Sequence, residues 1–93
     1  MIELKEKSDL TPEKISLAFF GAGVGIKERV SAKYALLNLV GRNKAIAITT
    51  AAFNIANNLP EVISGGGAEC VHRPFRKYLE RHPELLPGGN RVS

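Results

Sequence analysis

The sequence is poor in several things at once. It has one cysteine, no tryptophan, one methionine and two histidines in 93 residues. A lone thiol, Cys70, excludes an internal disulfide and suits a reducing compartment. A structural zinc site needs about four ligands, and beyond Cys70 and His72 only His82 is a further good one. Long apolar runs are missing too. The uncharged stretch from Ile15 to Ile26 is too short to span a bilayer and runs into Lys27-Glu28-Arg29. The uncharged stretch from Ala45 to Pro60 carries Thr49, Thr50, Asn54, Asn57 and Asn58, and reads as a helix outside a membrane. The start, with Glu3, Lys5, Glu6, Lys7 and Asp9, does not read as a secretory leader. Together these absences predict a cytoplasmic protein with no membrane partner.

Length and a 44% hydrophobic fraction predict one folded domain over 1–93, with a core over about 1–72 and a basic helix and tail over 73–93. A core this small favours a homodimer or larger homo-oligomer. The net charge is +4 and is unevenly spread. Residues 27–44 carry Lys27, Arg29, Lys33, Arg42 and Lys44 against Glu28 alone. Residues 71–93 carry Arg73, Arg76, Lys77, Arg81 and Arg91 against Glu80 and Glu84. Such clustering points to a polyanionic partner.

Patterning predicts an α/β chain. Ile2 and Leu4 alternate with charge over Met1–Lys7, a short strand. Thr11, Pro12 and Glu13 form a helix start, followed by a stripe of Ile15, Phe19, Ala22, Ile26 and Val30. The rival is a strand over Ile15–Phe20 and then a glycine loop. If the helix runs on, Ala18, Gly21, Ala22 and Gly25 make a small-residue strip for close helix contact, a candidate oligomer interface by analogy with membrane helices.

Lys33–Val40 reads as a strand covered on both faces, ended by Gly41. Asn43 then caps a helix with Ala45, Ile48, Ala52, Ile55 and Leu59 inward, stopped by Pro60. The β-branched run Ile46–Thr50 leaves a strand open as the alternative. Ala68–His72 is a possible short strand, and Pro74 opens the helix PFRKYLERH.

No catalytic constellation emerges, and the chain is read as a non-enzyme without a cofactor. The glycines at 21, 23 and 25 match neither a dinucleotide fingerprint nor a P-loop. Cys70 and His72 would point the same way on a strand, yet no orienting group accompanies them. A partly buried thiol beside a surface histidine is the plain reading. Glu80 and Glu84 are plain solvated charges.

The strongest signal is basic. Arg42, Asn43 and Lys44 sit at an expected helix N-terminus, where free N–H groups and the dipole favour anions. Arg73, Arg76, Lys77 and Arg81 form a second patch. Both suit phosphate-backbone contact with DNA or RNA. The alternative is a solvated surface that keeps the domain soluble.

From MIELK through TPEKISLAFF and KERVSAKYALLNLVGRNKAI to NNLP, the chain resembles the Alba superfamily, including its SpoVS branch. That resemblance implies a β-α-β-α sandwich, often dimeric, that binds DNA or RNA through the turn matching Gly41-Arg42, with Lys44 beside it. The paired lysines after the first strand are not clear, and PFRKYLERH replaces the family's long hairpin. PEVISGGGAECVHRPFRKYLE bears a fainter resemblance to bacterial microcompartment shell proteins. That implies the alternative function, a self-assembling subunit of a shell or filament.

Overall fold

The computed structural model describes residues 3–58 and 69–86. A 3-10 turn at Lys7–Asp9 leads into α1 (Pro12–Phe20), α2 (Ile26–Val40), α3 (Arg42–Asn58) and α4 (Glu69–Arg81), and a last 3-10 turn spans Pro83–Leu85. There is no strand among the described residues. The expected α/β sandwich is therefore overturned, and with it the fold that the Alba resemblance implied.

Each expected strand fails for a physical reason. At the N-terminus the backbone N–H groups of Lys5 and Glu6 both donate to the Asp9 carboxylate, at 3.0 Å. These local bonds take donors that a ladder would need. Lys33–Val40 holds apolar residues on both faces because it lies inside α2. Ala32 and Leu36 are buried while Lys33, Tyr34 and Asn38 are exposed, which is helical spacing. Lys33, Ala35, Leu36, Leu37 and Leu39 are also good helix formers. In the possible strand Ala68–His72, the described residues Glu69–His72 form the first turn of α4.

The start of α1 is as expected. Thr11 Oγ1 accepts the Lys14 N–H at 3.2 Å and Pro12 occupies the first turn. Its end is not: the helix stops at Phe20 rather than running to Val30. Three glycines in five residues each weaken a helix by up to ~1 kcal/mol. Gly21 closes α1 by donating its N–H to Leu17 O at 2.8 Å, and a Cβ there would lie 2.5 Å from that oxygen. Arg29 tightens the same end, its Nε–H donating to Phe19 O at 2.8 Å. A cation at a helix C-terminus also meets the dipole favourably.

One residue joins α2 to α3. Gly41 has φ 88° and ψ 170°, a region essentially closed to other residues. Its N–H donates to Leu37 O at 3.2 Å, and its carbonyl accepts the Ala45 N–H at 3.0 Å. It thus ends one helix and begins the next.

In α3, Ala45, Ile48, Thr49, Ala51 and Ala52 are buried and Ile55 is half-buried. The helix reading of Ala45–Thr50 holds, and the Thr49 hydroxyl is satisfied by Ala45 O at 2.8 Å. Leu59, Pro60 and the glycines 65–67 lie outside the described residues.

Helix α4 packs on α1 and α3, while α2 packs on α3 and α1. Val71, Phe75 and Leu79 of α4 are buried. The Phe75 ring stands edge-on to Phe19 at 5.7 Å and to Phe20 at 5.6 Å, a favoured aromatic geometry. Pro74, expected to open this helix, instead lies inside it. It removes one intrahelical hydrogen bond, a cost of ~3 kcal/mol in a helix interior. Burial of Phe75 and Leu79 on the same element works against that cost. No helix among the described residues is long and apolar enough to cross a membrane.

Candidate nucleic-acid interface

Arg42, Asn43 and Lys44 are the first three residues of α3, and all are exposed. The expected strand–turn–helix is instead helix–glycine–helix, with Asn43 inside α3 rather than capping it. The helix start itself lies where the anion reading needs it. The first N–H groups of a helix lack intrahelical partners. No acidic residue occupies this first turn. Two cations therefore sit at the positive end of the dipole, which disfavours them by about 0.3–1 kcal/mol each. A phosphate oxygen would reverse the sign of that effect.

Helix α4 divides by charge. Val71, Phe75 and Leu79 face the core, while His72, Arg73, Arg76 and Lys77 line a depression of about 520 Å³. Arg73 and Lys77 are exposed; His72 and Arg76 are half-buried. Arg76 Nε and His72 Nε2 are shielded from solvent and have no hydrogen-bond partner. Arg81 is exposed and does not line the depression. A second depression of about 400 Å³, between residues 3–5, α1 and α2, is lined by both signs of charge, including Lys5, Lys27 and Glu28. Neither hollow includes Arg42, Asn43 or Lys44.

His72 was missed as a neighbour of the arginines because the strand reading paired it with Cys70. On a helix, residues two apart point about 200° away from one another, so the expected common direction of Cys70 and His72 is lost. The spacing of His72 and Arg76, four apart, was the available signal, hidden by starting the helix at Pro74. Cys70 is a free, half-buried thiol. Among the described residues no three His, Cys, Asp or Glu side chains are grouped to hold a metal ion.

The small-residue strip is not one helix face. Ala18 is on α1 and buried in the chain's own core, Gly21 is buried at the helix end, and Gly25 is half-buried. Of the four, only Ala22 is exposed. Glu80 and Glu84, read as solvated charges, are both exposed, and Glu80 lies in α4. Glu84 lies in the last 3-10 turn and accepts from His82 Nδ1 at 3.1 Å. Its own backbone N–H, then His82, holds its carboxyl below the usual range. The His82 ring lies against Tyr78, with centroids 4.3 Å apart.

Comparison with family models, with curated proteins and with solved structures gives no match to this chain.

Proposed function

We propose that this chain is a nucleic-acid-binding protein, not an enzyme, and that it contacts the phosphate backbone of DNA or RNA. Arg42, Asn43 and Lys44 at the start of α3 form the central site, and Arg73, Arg76, Lys77 and Arg81 of α4 a flanking one. The observation that supports it is the helix start that carries two exposed cations and no acid. An arrangement that is unfavourable alone becomes favourable with an anion present. The free Cys70 accords with a cytoplasmic setting.

The test is binding to short duplex DNA and RNA across a salt series. Each phosphate contact should steepen the loss of affinity with salt. Replacing both cations, Arg42→Ala with Lys44→Ala, should lower affinity and reduce the salt slope. Affinity absent at low salt, or unchanged in that variant, would overturn the proposal.

A second reading is self-association, supported by a different observation. Ile26, Val30 and Tyr34 recur every four residues along α2 and are 79%, 46% and 63% exposed. Ile46 and Phe53 of α3 are exposed as well. An apolar stripe of this kind suits a homo-oligomer contact. Sedimentation without nucleic acid should show a dimer or larger species, shifted toward monomer by Val30→Glu with Tyr34→Glu. A monomer at high concentration would sink this reading.

A further inference from the structure

Two of the residues that line the hollow on α4, His72 and Arg76, each carry a polar atom that is hidden from solvent and has no hydrogen-bond partner. Arg76 Nε–H is a donor that cannot be discharged, because a guanidinium does not lose its proton in proteins. His72 precedes Arg76 by four residues, on the same helix face. Leaving a buried polar group without a partner is costly. Ion pairs among the described residues involve Lys5, Lys14 and His82, and none of the four residues that line the hollow. Glu80, one turn beyond Arg76, does not line it.

The Arg76 Nε–H calls for an acceptor, and the positive charge of Arg73, Arg76 and Lys77 favours an anionic one. A carboxylate offers two oxygens and one charge. A phosphoryl group offers three or more oxygens and matches the fork of an arginine. Lys77 and Arg73 would supply further charge at the mouth.

We propose that the hollow lined by His72, Arg73, Arg76 and Lys77 holds a single phosphoryl group. This rests on the nucleic-acid reading for its natural source, the phosphate backbone, but the shared chemistry also fits a small phosphate ester.

The ring signals of the two histidines, followed by NMR on the full chain, test it. His82, held by Glu84 and Tyr78, is the internal reference. Inorganic phosphate should move the His72 ring signals saturably and leave those of His82 in place, and chloride at equal ionic strength should not. Arg76→Gln, which keeps the side chain's bulk, should abolish the movement. Its circular dichroism and melting temperature show whether the fold is intact, and Lys77→Gln, at an exposed position, should weaken the response severalfold if Arg76→Gln unfolds. Absence of saturation with phosphate, an equal response to chloride, or an unchanged response in the substituted proteins overturns the site. A duplex with 5′-hydroxyl ends decides the source. Movement of His72 by that duplex assigns the hollow to backbone phosphate. A His72 response to phosphate without one to duplex keeps the site and assigns it to small phosphates. Loss of duplex binding in the Arg42/Lys44 variant is read separately, so failure of the broader function and failure of this site give different results.

Discussion

Helices α1 and α2 begin with acceptors, whereas α3 begins with donors and charge of the wrong sign. Thr11 accepts the Lys14 N–H at the start of α1, and Glu13 lies in its first turn. Glu28 reaches back at the start of α2 to accept the Gly25 N–H at 2.6 Å. The first turn of α3 offers Arg42, Asn43 and Lys44 and no acid. The two satisfied starts behave as ordinary structural devices. The third departs from that pattern, with two cations and no acid in its first turn. Such departures mark functional positions more often than they mark errors of design.

The comparison can be broken or sharpened by substitution. The largest effect should come from the core that all the helices share, and it sets the scale. Phe75→Ala should destabilise by ~3–5 kcal/mol, enough to leave so small a domain largely unfolded in a denaturant titration. Next is the joint. Gly41→Ala should cost about 1–3 kcal/mol through backbone strain alone, since no atom lies within 4 Å of the added Cβ. An unchanged denaturation midpoint would mean that the joint relaxes freely. Thr11→Ala should cost ~1 kcal/mol by removing the cap of α1.

At α3 the expected sign is opposite. Arg42→Glu should raise stability by about 0.3–1 kcal/mol while lowering duplex affinity at low salt. Greater stability together with weaker binding would separate this helix start from the other two. A loss in both would make Arg42 a structural residue.

The smallest effect concerns acid. The Asp9 carboxyl is held below its usual range, first by the Glu6 N–H, then by the Lys5 N–H and by Lys14. A lowered folded-state value means that its stabilisation is complete above the usual carboxylate range and is lost as pH falls through the lower folded value. Asp9→Asn should therefore lower the melting temperature slightly at neutral pH, flatten the acid side of the profile and converge with the parent protein at low pH.

Parts of this architecture were legible in the sequence. Thr11-Pro12-Glu13 marked a helix start because capping is a local property of adjacent residues. Ala45, Ile48 and Ala52 marked the inner face of α3 because their spacing fits a helix, although the β-branched run Ile46–Thr50 left a strand open. Lys33–Val40 misled because a stretch with apolar residues on both faces satisfies either period. Propensity, which favoured the helix, was the better guide there. The exposure of Ile26 could not be foreseen, since the loop at 21–25 resets the phase of every residue after it. At the basic sites, the residues could be named from charge clustering alone. Their grouping could not, because His72 joins Arg76 only once α4 extends back through Pro74.

The contact of Phe75 with Phe19 and Phe20 also bears on the order in which the molecule assembles. The α2–α3 pair closes through a one-residue connection, so its contacts are short in sequence and can form within microseconds. The aromatic contact between α1 and α4 spans more than half the chain and must await a much larger loop. Formation of the helical pair first and docking of the chain's two ends last is the expected sequence. Mild destabilisation at Phe75, as in Phe75→Leu, should then appear mainly as faster unfolding, with the refolding limb of a chevron plot little changed. A slowed refolding limb would place that contact in the folding nucleus instead.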